Sequence, residues 1–328
     1  MKTKLLTVSL LALMLSACGG GTPTTTSEPS TSEEKVFNIG VCQLVTHDAL
    51  DAATRGFVET LRADLGEKRV NIEVKNAAGD SATCSTIAND FVSKNVDLIM
   101  ANATPALQAA SQATDRIPVL GTSITEYGVA LDIEDFSGAT GFNVSGTSDL
   151  APLETQAEML KDVFPNVQRV GLLYCSAEAN SKYQVEVVAR KLEEFSIETE
   201  EIKFSDSNDI ASILNGKIGG VDAIYIPTDN TAASNAEIIN NICLDNNVPV
   251  FAGEEGLCKG CGAITLSISY YNIGVKTAKM AEEILLNGAD ITTMQIGYDQ
   301  NPVKKYNPAI CTELGLTVPE DYVAIELD

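Results

Sequence analysis

The sequence predicts an α/β protein of two similar doubly wound parallel-sheet lobes joined by a hinge, and three observations predict it. The first is a repeated plan: residues 96–122 read VDLIMANATPALQAASQATDRIPVLGT and residues 221–253 read VDAIYIPTDNTAASNAEIINNICLDNNVPVFAG. Each stretch begins with Val-Asp and an apolar run of strand length, breaks at a polar turn, continues as an Ala-rich helix and closes on a second buried run. The second is the alternation of strand and helix patterns along the rest of the chain, which implies parallel sheets. The third is where the polar residues fall. A strand–helix–strand unit leaves its turns at the carboxyl ends of strands, where open α/β sheets bind ligands. One unit in each half suggests two lobes facing one another across a cleft; a single domain with an accidental internal echo is the competing reading.

Taken in order, the first lobe opens with an apolar strand at 36–43, a turn at Thr46-His47-Asp48, and a helix at 49–65 that keeps Ala53, Phe57, Leu61 and Leu65 on one face and stops at Gly66. A strand at 70–75, a helix near 82–94 and the first repeated unit follow. Residues 138–144 lead to Ser145-Gly146-Thr147-Ser148-Asp149, where the first hinge is expected, with others near Gly253 and Asn287. The second lobe then repeats the order: helix 152–164, strand 167–174, helix 182–195, strand 197–204, a short helix at 210–214 and the second unit. Residues 262–267 read as a strand crossing back and 270–287 as an amphipathic helix. The expected division is a leader at 1–17, a tether at 18–35, a first lobe of 36–146 plus 254–288, and a second of 147–253 plus 289–328.

Length and composition allow two ordinary domains: 328 residues, 45% hydrophobic, 20% charged, no Trp. The formal net charge of −23 and the absence of a basic stripe exclude nucleic acid as a partner. Lys2 and Lys4, an apolar run at 5–15 and then Leu15-Ser16-Ala17-Cys18 form a leader too short to span a bilayer, which needs about 20 apolar residues. The segment that follows, rich in Gly, Ser, Thr, Pro and Glu, reads as a flexible tether reaching on the order of 25 Å.

Beyond Cys18 there are cysteines at 42, 84, 175, 243, 258, 261 and 311. Cys42, Cys84, Cys175 and Cys243 fall in apolar patterns, where a thiol serves as a small hydrophobe. Cys258 and Cys261 are open to a local disulfide or to two thiols; a zinc site would need a second pair, and His47 is the sole histidine. No Walker A, GxGxxG, HExxH or GxSxG pattern occurs. No metal or cofactor is expected, and no enzyme: strand ends carrying Thr, Ser, Asn and one Asp hold a small polar ligand better than they transform one. Two roles stay open for His47, helix cap or solvent-facing residue on one side, binding residue in a strand-end loop on the other.

The family resemblance set out below implies an amino-acid ligand, and for its zwitterion the strand-end residues divide between the lobes. Thr104, Thr122 and Ser123 in the first lobe are candidate donors to its carboxylate. Asp229, with Asn180, Ser181 and Asn230 beside it, is the candidate acceptor for its ammonium. The alternative for Asp229 is an N-cap of the following helix.

The small residues before Cys18 resemble a bacterial lipobox, which implies acylation of Cys18 and a membrane anchor. With the tether and two lobes, they resemble the substrate-binding proteins of bacterial ABC importers, of type I periplasmic-binding fold. Ile39-Gly40-Val41-Cys42-Gln43, His47-Asp48-Ala49-Leu50-Asp51, Ala103-Thr104-Pro105-Ala106, the stretch 143–149, Glu178-Ala179-Asn180-Ser181, Pro227-Thr228-Asp229-Asn230, Gly253-Glu254-Glu255 and Tyr270-Tyr271-Asn272-Ile273-Gly274 are similar to the tryptophan/tyrosine-type binding proteins. That resemblance adds Gln43, Glu178 and Glu254 to the binding residues. It implies a monomer outside the cytoplasm that captures an aromatic or related amino acid and hands it to a membrane permease. A ligand-sensing lipoprotein that presents its bound form to a receptor, and a surface hydrolase, are the alternatives.

Overall fold

The computed structural model describes residues 35–299 and 301–327. The leader, Cys18 and all of the expected tether but its last residue therefore lie outside the described residues. The first lobe runs β1 (Phe37–Gln43), α1 (Asp48–Leu65), β2 (Val70–Asn76), α2 (Ser81–Ser93), β3 (Leu98–Asn102), α3 (Thr104–Ala113), β4 (Val119–Ile124), α4 (Tyr127–Leu131) and β5 (Val144–Ser148). The chain then builds the second lobe: α5 (Leu153–Val163), β6 (Arg169–Cys175), α6 (Ala179–Glu194), β7 (Glu198–Phe204), α7 (Ile210–Lys217), β8 (Ala223–Ile226), α8 (Asn230–Ala233), α9 (Ala236–Asp245), β9 (Val250–Ala252), α10 (Glu255–Gly260) and β10 (Ile264–Ser267). It returns to the first lobe for α11 (Tyr270–Asn287) and β11 (Gly297–Tyr298), and ends in the second with β12 (Val303–Tyr306), α12 (Pro308–Glu313) and β13 (Val323–Ala324).

The sheet orders are β11-β5-β4-β3-β1-β2 and β13-β12-β10-β9-β8-β6-β7. Pairing is parallel throughout except for β10 with β12. The strands β3, β4 and β5 are buried at every residue, as central strands covered on both faces must be, whereas the outer strand β2 is fully buried only at Val70. In both lobes the order reverses at the first strand, between β1 and β3 and between β6 and β8. Such a switch point leaves a crevice at the carboxyl ends of the strands.

Two expectations differ from this topology. Residues 254–288 do not form one block of the first lobe: β10 pairs with β9 in the second sheet, and only α11 returns. Residues 289–328 do not all join the second lobe, because β11 pairs with β5. The hinges move accordingly. Gly146 sits within β5 opposite Gly121, Gly253 lies between β9 and α10 of the second lobe, and Asn287 ends α11. The chain passes between sheets after Ser148, after Ser267 and after Tyr298, and a hinge must lie where pairing changes sheet.

The α1 helix packs along α11 at a very close approach. A Cβ on Gly274 would stand 2.0 Å from the Ala53 carbonyl oxygen, and one on Gly56 would stand 2.2 Å from that of Tyr271. Two glycines thus let the helix backbones touch. All seven cysteines from Cys42 onward are buried free thiols. Cys258 donates to the Gly262 carbonyl at 3.3 Å and Cys311 to that of Ala263 at 3.3 Å. Among the described residues no helix is long and apolar enough to cross a membrane.

Candidate ligand-binding cleft

Apart from Ala233 at the end of α8, the side chains lining the central cavity come from the carboxyl end of a strand, the first turn after it, or a crossover. His47 and Leu50 follow β1, Ser123 and Thr125 end β4, Asp149 follows β5, Asn180 follows β6, Thr228, Asp229 and Asn230 follow β8, Glu254 follows β9, and Tyr270 opens α11. Together they line a narrow space between the lobes, with room for about 10 Å³ in this closed arrangement. The second lobe holds its share rigidly. Asn180 Nδ2 donates to the Thr228 carbonyl at 2.8 Å, and the Gln184 side chain accepts from the Thr228 amide at 3.2 Å, tying α6 to the end of β8.

The charges facing this space are unbalanced. Asp149, Asp229 and Glu254 are buried carboxyls, and among the described residues no Lys or Arg lines the cavity. Burial lifts Glu254 to about 7; burial and the neighbouring Glu178 carboxylate lift Asp229 to about 7; and burial raises Asp149 as well. Burial also lowers His47, favouring the neutral ring. Four buried polar atoms here have no protein partner: His47 Nδ1, Ser123 Oγ, Asp149 Oδ1 and Asn180 Oδ1. Such atoms are costly unless something hydrogen-bonds them, so their convergence from both lobes and a crossover marks a polar ligand site.

The lobes touch in this structure. His47 Nε2 lies 3.3 Å from Asn230 Oδ1, the hydroxyls of Thr125 and Thr228 are 3.3 Å apart, and Lys259 Nζ lies 4.0 Å from Asp48. Each contact crosses the cleft. At the crossovers Tyr270 donates its hydroxyl to Asp149 Oδ2 at 2.8 Å.

Of the residues expected at the site, Ser123, Asn180, Asp229, Asn230 and Glu254 line the cavity. Ser123 has a positive φ of 55°, in the left-handed region, and its hydroxyl is one of the unpartnered atoms. Ser181 lies buried directly behind Asn180, whose Nδ2 is 3.3 Å from its hydroxyl. The others do not line it. Gln43 donates to Asp51 at 2.5 Å and accepts from Thr54 at 2.6 Å, pinning α1 over the strand ends. The Thr122 hydroxyl lies 3.2 Å from that of Thr147, beneath α11. Thr104 is buried at the start of α3. Glu178 accepts from the amides of Asn230 and Thr231 and from both their side chains, at 2.6–3.1 Å, and so organises α8.

Asp229 takes the N-cap position, the alternative reading of it. Its two oxygens accept from the amides of Cys175 at 2.6 Å and Ala232 at 2.8 Å, so it caps α8 while facing the cavity. Glu254 likewise caps α10 through Gly256 and Leu257. Asp149 is the carboxyl with an uncommitted oxygen. Strand-end polarity alone did not single out Asp149, Thr125, Thr228, Leu50 or Tyr270. Four of them lie in the short stretches that carry the family resemblance, at 143–149, 227–230, 47–51 and 270–274; Thr125 lies outside those stretches, one residue past β4.

The sequence profile of the ABC transporter substrate binding protein family matches residues 38–326. A tyrosine-binding protein of Clostridioides difficile (strain R20291) is 34% identical over 280 residues, covering 83% of this chain and 80% of that one. The structure of a Streptococcus pneumoniae ABC domain in complex with L-Trp shares 32% identity over 87% of this chain and 97% of its own, with a TM-score of 0.83. The ligand-free, open structure of a Clostridium difficile substrate binding protein with adhesive properties shares 33% identity over 89% and 100%, with a TM-score of 0.68. The fold is that of type I periplasmic-binding proteins, and the chain belongs to the ABC transporter substrate binding protein family.

Proposed function

We propose that this chain is the lipid-anchored solute-binding component of an ABC importer, and that it captures an aromatic or closely related amino acid between its lobes. The observation that carries the ligand class is the buried, cation-free cavity lined by three carboxyls, with acceptor atoms of Asp149 and Asn180 left without protein partners. Desolvated carboxylates favour a cationic guest, and an ammonium brings three N–H donors to such acceptors. Ser123 Oγ then serves the carboxylate. The likeness to a tyrosine-binding protein and to an L-Trp complex supports the aromatic side chain. Acylation at Cys18 would hold the protein at the outer face of the membrane, where it delivers ligand as a monomer to a permease. No step of catalysis is assigned to it.

A thermal-shift screen of the twenty amino acids, with sugars and nucleosides alongside, tests this reading. A ligand that binds only the folded state at a hundredfold excess over Kd stabilises by about 2.7 kcal/mol. Tyrosine, tryptophan or phenylalanine should head a single chemical cluster of hits. A shift with a sugar or nucleoside and none with any amino acid would refute the ligand class.

A further inference from the structure

His47 precedes α1 in extended conformation, φ −162° and ψ 163°, yet its side chain makes no capping bond to that helix. Its ring instead crosses the cleft to Asn230. The direction of that bond follows from what holds Asn230. The Asn230 Nδ2 group donates at 2.6 Å to Glu178, a carboxylate that only accepts. The amide is thereby oriented, and its oxygen is the end that faces the imidazole. An oxygen acceptor requires that Nε2 carry the proton. In the neutral ring, the other nitrogen is then a bare lone pair. That nitrogen, Nδ1, is buried and has no protein partner, and the ring lines the cavity.

We propose that His47 couples ligand capture to lobe closure, with Nδ1 accepting an N–H of the ligand's ammonium while Nε2–H holds Asn230 of the opposite lobe. With Asp149 Oδ1 and Asn180 Oδ1, Nδ1 makes a third acceptor for the three N–H bonds of an ammonium. A ligand carboxylate cannot take this place, since acceptor would meet acceptor. The charged groups around the ring are Glu178, Asp51 and Asp48, all of which favour its protonation; burial outweighs them. The inference rests on the amino-acid reading above.

Two isosteric substitutions separate the two nitrogens. His47→Gln places a donor near the Nε2 position and no acceptor at Nδ1; His47→Asn places an acceptor near Nδ1 and nothing that reaches Asn230. The probes are L-tyrosine, L-tryptophan and 3-(4-hydroxyphenyl)propionate, which lacks the amine, titrated calorimetrically, with compaction read by small-angle X-ray scattering. His47→Gln should close normally and bind the amino acids about tenfold more weakly, with little change for the deaminated analogue. His47→Asn should keep the preference for the amine and compact less at saturation. Either variant matching wild type in affinity within twofold and in compaction overturns the assignment to that nitrogen. A wild type that binds neither amino acid sinks the parent reading and this one together, whereas amino-acid binding indifferent to both variants sinks this one alone.

Discussion

Asp229 and Asp149 show how one carboxyl differs from another by the hydrogen bonds already spent on it. Both are buried at the cleft, but Asp229 has an amide donor on each oxygen and Asp149 has one oxygen uncommitted. Chain position alone favours Asp229, because it stands at a strand end; the hydrogen bond to the other oxygen of Asp149 comes from a tyrosine 121 residues away in sequence. A pH dependence follows from the carboxyls that burial has lifted to about 7. Near neutrality they hold protons in the free protein, and an incoming ammonium favours their ionised form. Ligand binding should therefore release protons, and affinity should rise from about pH 6 to about pH 8. Calorimetry in buffers of different ionisation enthalpy reads this directly, and proton uptake would contradict it. The same groups act on folding. Their folded pKa values exceed their unfolded ones, so the stability they contribute is complete below about pH 4 and lost as pH rises through about 7. The melting temperature of the free protein should fall across that window more steeply than that of the complex.

At the level of elements, periodicity was informative where elements are long. The helix expected at 270–287 is α11, Tyr270–Asn287, and the pattern that ends at Leu65 and Gly66 is α1. The two-residue strand β11 carries no periodicity, and its return to the first sheet was not legible for that reason. Nor does any local pattern announce that Gly56 and Gly274 sit at a helix contact, since a glycine within a helical pattern reads only as a weakening. The contact matters for the site because α11 begins with Tyr270 and α1 begins beside His47. Gly274→Ala would drive a methyl into the Ala53 carbonyl and force the helices apart. A loss of about 1–3 kcal/mol is expected, the usual range for overpacking, measured by urea unfolding. Gly288→Ala, in open space at the end of α11 with φ 65°, isolates the smaller cost of backbone strain alone.

For the whole molecule, the two-lobe plan was legible because both lobes solve one problem with one sequence pattern, and a switch point then dictates where a ligand can sit. The route of the chain between lobes was not, because three crossovers are set by pairing between distant strands. Those crossovers gather Asp149 and Tyr270 at the cleft, where the chain passes between the sheets. On the proposed reading, capture by closure needs differential affinity for the closed state, which Asp149 would supply by meeting the ammonium. The most direct test is calorimetric titration of wild type and Asp149→Asn with L-tyrosine, L-tryptophan and their deaminated analogues. Asn preserves the shape and removes the charge, and breaking a buried charge pair costs about 3–5 kcal/mol. The account predicts that wild type prefers the amine by at least a hundredfold and that the variant loses most of that preference; an unchanged preference in the variant would contradict it.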